Sequence, residues 1–352
     1  MMIIGCDFHT SFQVIVFVDT ETGEEQTRRL NHPVEATEFY RSLAGQVVRI
    51  GMEATGSFRW FQRLVAELGF ELWIGHPSEI RATMPRNQRT DKRDAEGILR
   101  LLLEDRFPAV WVPPAEEEGL RTLLTHRCRL VRLRTRVNNQ LDGMAKNEGL
   151  LGVRVGTSRG RQRLQQVELA GWQEQRRADL LALLDDLDAR IAPLDKAVAQ
   201  AAQAREDARC LMTHPGVGPI VALAFLTAVG HWERFKRGRN VASYFGLIPS
   251  EESSGKNRRL GHVSKQGNSM VRWLLVQAAT IAQSKDAAWH RQYARLSMTK
   301  HHGVAKLAIA HKPAVRMYGM LRSGQNYLQI MERGSHARQS ECPTGRETMP
   351  KL

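Results

Sequence analysis

Four carboxylates occupy positions where they could do chemistry: Asp7 after the apolar run MIIGC, Glu53 at the end of VVRIGME, and Asp91 and Asp94 within RTDKRDAEG. The i, i+3 spacing of the last two predicts that both project from one face of a helical turn. Acids at adjoining strand ends and on a facing helix can converge on one point. Close like charges are costly unless a cation neutralises them. Hard oxygen ligands suit Mg²⁺ or Mn²⁺, and two such ions can clamp the attacking and leaving oxygens of a phosphodiester. Each acid also has a structural alternative. Asp7 could cap a strand end, Asp91 and Asp94 could be N-cap and N3 of an ordinary helix, and Glu53 could pair with an arginine. The metal reading rests on the four together.

A second constellation lies in GLIPSEESSGKNRRLGHVSKQGNSMVRWLL, where Lys256, Arg258, Arg259, Lys265 and Arg272 sit among small residues. Such a loop suits contact with a phosphate backbone, each neutralised phosphate adding to the salt dependence of binding. The block also holds Ser250, Ser253, Ser254, Ser264 and Ser269, and no Ser–His–Asp spacing singles out a nucleophile, although His262 is near in sequence. Upstream, HPGVGPIVALAFLTAVG leads a Pro-Gly-Val-Gly turn into an apolar helix. The backbone N–H groups of Gly216 and Gly218 could form an anion nest there, or the turn could simply pack two helices.

The elements that must position these groups follow from pattern. Met2–Cys6, Gln13–Val18 and Gln26–Leu30 read as strands, the DTETGEE turn joining the second to the third. A helix over Pro33–Leu43, a strand Val47–Met52, a helix Phe58–Leu68, a strand Glu71–Ile74 and a helix from about Asp91 follow. Three meandering strands and then strand–helix alternation is the ribonuclease-H-like order, which pattern alone does not separate from other α/β folds. Pro108, Pro113 and Pro114 mark a boundary, beyond which the chain turns helical. Leu123, Leu130, Val137 and Met144 recur every seven residues with arginines around them, including Arg129, Arg132 and Arg136. After a Gly-rich stretch, Leu180, Leu184, Leu187, Ile191, Leu194 and Val198 form a coiled-coil seam, which Pro193 should kink or break. The expected division is 1–112, an α/β domain; 113–208, a coiled-coil region; 209–332, a small helical domain; and 333–352, a polar disordered tail.

Lys plus Arg number 51 against 37 Asp plus Glu, a net charge of +14 over 352 residues, which points to a polyanionic partner and to nucleic acid before membrane. The four cysteines are far apart and show no metal-ligand spacing, which excludes a zinc ribbon and argues against a disulfide scaffold. The N-terminus lacks a basic n-region, and the longest apolar run, Ile220–Val229, is too short for a membrane span. The expectation is a soluble protein of a reducing, intracellular compartment.

The motifs, in their order along residues 2–330, resemble the DEDD transposases of insertion-sequence family 110. IGCDFHT is similar to that family's opening strand, GMEATGSF to its Glu motif and RTDKRDAEGI to its paired-Asp helix. PGVGP, FGLIPSEESSG and GHVSKQGNSMVRWLL resemble the blocks of its C-terminal transposase domain. The resemblance implies a RuvC-like N-terminal domain, a coiled-coil middle and a small helical C-terminal transposase domain. It implies that Asp7, Glu53, Asp91 and Asp94 hold the metal, and that Ser254, rather than its neighbour Ser253, attacks DNA and holds one strand as a phosphoserine. It further implies a tetramer, a dimer of dimers, with composite sites, and a non-coding bridge RNA that pairs with donor and target DNA in the bacterial cytoplasm. The rival readings are a junction-resolvase-like nuclease, which needs no serine, a non-catalytic nucleic-acid-binding protein, and an actin-like sugar kinase, for which a second phosphate loop is missing.

Overall fold

The protein is described by a computed structural model that covers residues 1–56, 58–84, 90–251 and 259–332. Its contacts divide the chain into two units, Met1–Val112 and Pro113–Leu352.

The first unit is a five-stranded mixed sheet with helices. Its strands are β1 (Met2–Phe8), β2 (Phe12–Asp19), β3 (Glu25–Asn31), β4 (Val48–Glu53) and β5 (Glu71–Gly75). The helices are α1 (Val34–Ser42), α2 (Arg59–Glu67), α3 (Pro77–Ala82) and α4 (Asp91–Leu103). The spatial order is β3-β2-β1-β4-β5. β2 is antiparallel to β1 and to β3, while β4 runs parallel to β1 and to β5. This order and these directions are consistent with a ribonuclease-H-like fold.

One face of the sheet carries Ile4, Cys6, Ile15, Ile50 and Met52 against α1 and α2, with Tyr40 and Phe61 fully buried among them. The other face carries Ile3, Val14 and Val16 against α4. Strand alternation sends neighbouring side chains to opposite layers, so β1 and β2 are apolar at nearly every position. Gln13, fully buried, is satisfied between the two: Cys6 Sγ donates to its Oε1 at 3.4 Å, and its Nε2 donates to Tyr40 Oη at 3.1 Å.

The approach of α4 to the sheet depends on two glycines. A Cβ at Gly5 would stand 2.3 Å from the Ala95 carbonyl oxygen and 2.5 Å from the Leu99 amide nitrogen, so the helix backbone rests directly on β1 there. At Gly51 a Cβ would stand 2.7 Å from Leu102 Cδ1. These contacts bring the first turn of α4 over the ends of β1 and β4.

Among the described residues, the second unit is helical apart from one hairpin. It comprises α5 (Ala115–Asn147), α6 (Ser158–Gln165), α7 (Trp172–Ala204), α8 (Glu206–Met212), α9 (Pro219–Val229), α10 (Gly238–Tyr244), β6 (Pro249–Glu251), β7 (Leu260–Val263), α11 (Ser269–Lys285), α12 (Ala287–Ser297) and α13 (His302–Ser323). The two 33-residue helices α5 and α7 pack together, with Leu184, Leu187, Ile191 and Val198 of the expected seam buried. On α5 the buried positions include Leu124 and Leu141 besides Val137 and Met144, so the observed stripe departs from a strict seven-residue repeat. Arg127 donates to Asp195 at 2.7 Å and Arg134 to Asp188 at 2.9 Å, linking the pair along its flank.

Pro193 does not break α7. Its ring and the Ala189 carbonyl that loses a hydrogen-bond donor both lie on the exposed face, where water can satisfy that carbonyl. The elements α3, α6, α10, α12 and the β6–β7 hairpin were not anticipated. The first three helices have six to eight residues and the hairpin strands three and four, too few for a period to show, while the eleven-residue α12 fully buries only Trp289 and so carries no apolar stripe. The expected disordered tail, 333–352, lies outside the described residues.

Candidate active site

Asp7 and Glu53 reach one place because β1 and β4 are parallel neighbours. Their pairing runs to Cys6 opposite Met52, and the next residue on each strand is Asp7 and Glu53. β5 continues the edge, with Glu53 opposite Gly75, and the chain then turns at His76 into α3. Thr90 caps α4, its side chain accepting from the Arg93 amide at 3.3 Å. Asp91 is therefore the first helical residue and Asp94 the fourth, not N-cap and N3. Both still benefit from the positive end of the helix.

All four carboxylates line one cleft of about 410 Å³, which also includes Phe8, His9, Thr55, Arg81, Met84 and Ile98. The Asp7 carboxyl is four-fifths buried. Burial pushes its pKa up, and the negative charges of Asp94 and Asp91 push the same way, against the opposing pull of His9. A carboxylate held in this way gains from any cation that joins it.

Sequence reasoning missed His9. Its Nε2 lies 3.1 Å from Asp7 Oδ2 and 3.7 Å from Asp91 Oδ1, and its ring stacks on Phe12 with centroids 4.5 Å apart. One donor atom from each of Asp7, His9 and Asp91 falls within a 4.8 Å cluster. The available signal was its place two residues after Asp7, on the same side of an extended chain.

Glu53 is engaged by a cation of the protein: Arg81 Nη2 donates to its Oε1 at 2.6 Å. The arginine pairing considered from sequence is thus present, and it occurs within the cleft that holds the other three acids. Carboxylate oxygens and one imidazole suit Mg²⁺ or Mn²⁺; Asp7, His9 and Asp91 are the cluster that could hold such an ion, and Asp94 and Glu53 line the same cleft.

The basic candidates fare differently. Gly216 has φ of +84°, and a Cβ there would stand 2.2 Å from the Ala278 carbonyl oxygen, so this glycine seats the α8–α9 turn against α11. Gly218 caps α9, and the Val217 amide is occupied by His214 O at 3.0 Å. Arg272 Nη1 donates to the Phe245 and Gln266 carbonyls at 3.0 and 2.7 Å, holding the chain after β7. Lys265 and Arg259 are exposed, as are Arg129, Arg132 and Arg136 along α5.

Ser253, Ser254, Lys256 and Arg258 lie outside the described residues, in a segment that enters from β6 and leaves into β7. The two strands are antiparallel, with Glu251 opposite Leu260, and Ser250 Oγ donates to His262 O at 3.1 Å. No helix among the described residues is long and apolar enough to cross a membrane.

Comparison with known proteins gives two family matches. Residues 4–147 match the DEDD transposase domain of IS110 elements, and residues 208–295 match the transposase IS116/IS110/IS902 family. The chain is 30% identical to the "Probable family 20 transposase" of Pseudomonas aeruginosa, over 84% of this chain and 89% of the relative. It is 26% identical to the transposase for insertion sequence element IS1111A of Coxiella burnetii, over 92% of this chain and 91% of that protein. The transposase for insertion sequence element IS1328 of Yersinia enterocolitica is 25% identical over 83% of this chain and 88% of its own length. The DEDD domain match implies a divalent metal.

Proposed function

The chain belongs to the IS116/IS110/IS902 family of transposases, enzymes that act on DNA, and on that premise we propose that it cuts and rejoins DNA strands through Ser254. The observation that carries the reading is the convergence of Asp7, Glu53, Asp91 and Asp94 in one cleft of a strongly basic protein. A bound divalent metal supplies neutralisation of the acids and polarisation of the scissile phosphate. Asp7, Glu53, Asp91 and Asp94 would hold the metal, with His9 as an added ligand, and Arg81, paired with Glu53, would supply a positive charge beside the scissile phosphate.

In the proposed step the Ser254 oxygen forms a bond to phosphorus as the bond to the 3′ oxygen breaks. The serine proton is lost to solvent and the leaving 3′ oxygen takes one up, so a phosphoserine and a free 3′ hydroxyl result. Exchange of one phosphodiester for another is close to energy-neutral, so rejoining by reversal needs no ATP. The paired 33-residue helices support a coiled-coil arm at 113–208 that assembles a tetramer, the α/β domain being 1–112 and the serine-bearing domain 209–332. The charge of +14 supports a bridge RNA as second nucleic-acid partner, its base pairing choosing donor and target DNA.

The test is a trapped adduct. The full chain, expressed with the DNA flanking its gene, is incubated with Mg²⁺ and that DNA, denatured and digested for mass spectrometry. A nucleotidyl group on the Ser254 peptide, lost in Ser254→Ala and in Asp7→Asn, is the expected result. Cleavage that persists in Ser254→Ala would replace this reading with a resolvase-like nuclease using water.

A further inference from the structure

A cleft of about 330 Å³ opens on the second unit where α5 passes α9 and α11. Its floor is apolar, from Leu124, Ile220, Met270 and Leu274. Trp273 stands at its side, 46% exposed, with no ring or cation contact among the described residues. Arg132 and Arg136 lie on its rim, one turn apart on α5, or about 6 Å along the axis. Neighbouring arginines of the same helix are neutralised, Arg127 by Asp195 and Arg134 by Asp188. Arg132 and Arg136 are exposed and have no ion pair among the described residues.

We propose that this cleft binds an unpaired nucleotide of single-stranded DNA, with its base against Trp273 and the adjoining phosphates on Arg132 and Arg136. An indole left half in water beside an apolar floor lacks a flat partner, and every base presents a π-face. The volume is at the small end of ligand clefts, which suits one base rather than a helix. A duplex offers base edges rather than faces, and the floor has no array of donors to read them. An apolar helix of a second copy would cover two guanidinium groups without supplying an anion, which is costly. Single-stranded DNA satisfies both halves of the site, and a strand-exchanging enzyme must hold it. The choice of DNA rests on the strand exchange proposed above, while the site itself requires neither Ser254 nor metal.

Binding is measured with the full chain in EDTA, so failure of the cleavage reading leaves this test intact. Labelled short oligo-dT, a duplex of the same length and oligo-U are titrated against wild type, Trp273→Ala, Trp273→Phe and the double variant Arg132→Gln/Arg136→Gln. Loss of one stacked base is expected to weaken oligo-dT about 5- to 150-fold in Trp273→Ala. Trp273→Phe should recover most of that loss, and duplex affinity should be unchanged. The arginine double variant should lower the salt slope for oligo-dT by about 1.4. Three results would overturn the proposal: unchanged oligo-dT affinity in Trp273→Ala, equal losses in Trp273→Ala and Trp273→Phe, or a loss confined to oligo-U. A shift in oligomeric mass with intact oligo-dT binding would assign the cleft to a second copy instead.

Discussion

Replacing Gly5 with alanine adds one methyl group where α4 rests on β1, two residues before Asp7. The added carbon would stand 2.3 Å from Ala95 O, 2.5 Å from Leu99 N and 2.9 Å from Leu99 Cα. All three are backbone atoms, so no rotamer change relieves the clash. Ordinary contact begins near 3.4 Å, so the first turns of α4 must retreat by about 1 Å. Overpacking of this kind costs about 1–3 kcal/mol of stability. The same shift carries Asp91 and Asp94 away from Asp7, and a misplacement of about 1 Å costs on the order of 10²-fold in rate. Strand cleavage in Mg²⁺ and thermal unfolding measured on one preparation read the two effects together. Gly51→Ala is the control, because its nearest neighbour, Leu102 Cδ1 at 2.7 Å, is the end of a side chain that can turn. Gly5→Ala with cleavage within twofold of wild type and an unchanged Tm would refute the reasoning, as would a Gly51→Ala loss just as large.

Two further outcomes follow from buried titrating groups. Burial, with Asp94 and Asp91, raises the Asp7 pKa, so the folded protein holds that proton more tightly than the unfolded chain. Stability is therefore lost as pH rises through the window above the ordinary Asp value, and the ionised carboxylate is a net cost near neutral pH. Asp7→Asn should raise Tm in EDTA, while Mg²⁺ at a hundred times its Kd should stabilise only the wild type, by about 2.7 kcal/mol. An equal Mg²⁺ gain in Asp7→Asn would contradict the ligand assignment. His214 is 1% exposed, its Nδ1 donates to Pro215 O at 2.8 Å, and its Nε2 has no partner among the described residues. Burial lowers its pKa from 6.5 to about 4, so stability is present above pH 6.5 and falls as pH drops toward 4. The loss attributable to this one group is about 3 kcal/mol, and chemical denaturation across that range should show a shallower decline in His214→Phe. Parallel declines in the two proteins would show that His214 is not the titrating group.

Much of the α/β architecture was legible locally. Apolar runs at β1, β2 and β4 and the capped start of α4 are carried by residues within a few positions of one another, and steric preference and burial act at that range. The same runs placed Asp7 and Glu53 at strand ends and Asp91 and Asp94 on one helical turn, so the candidate site could be named before its geometry was known. Most of the elements that stayed hidden are short, three to eight residues holding too little of a period to be distinguished from loop, and the longer α12 fully buries only Trp289.

Tertiary structure decided what each of these groups meets. The parallel register of β1 with β4 puts Asp7 next to Glu53, and the bare backbone at Gly5 lets α4 close over them. His9 joins the acids and Arg81 reaches Glu53 from α3 because the sheet brings segments distant in sequence within hydrogen-bond range. Gly216, whose turn reads in the sequence as either an anion nest or a helix-packing turn, rests against α11, a contact no local window contains. Trp273 and Arg136 are 137 positions apart and share a cleft only after α5 and α11 have packed. Local chemistry sets which residues can act. Chain crossing, which no window of sequence contains, sets which of them act together.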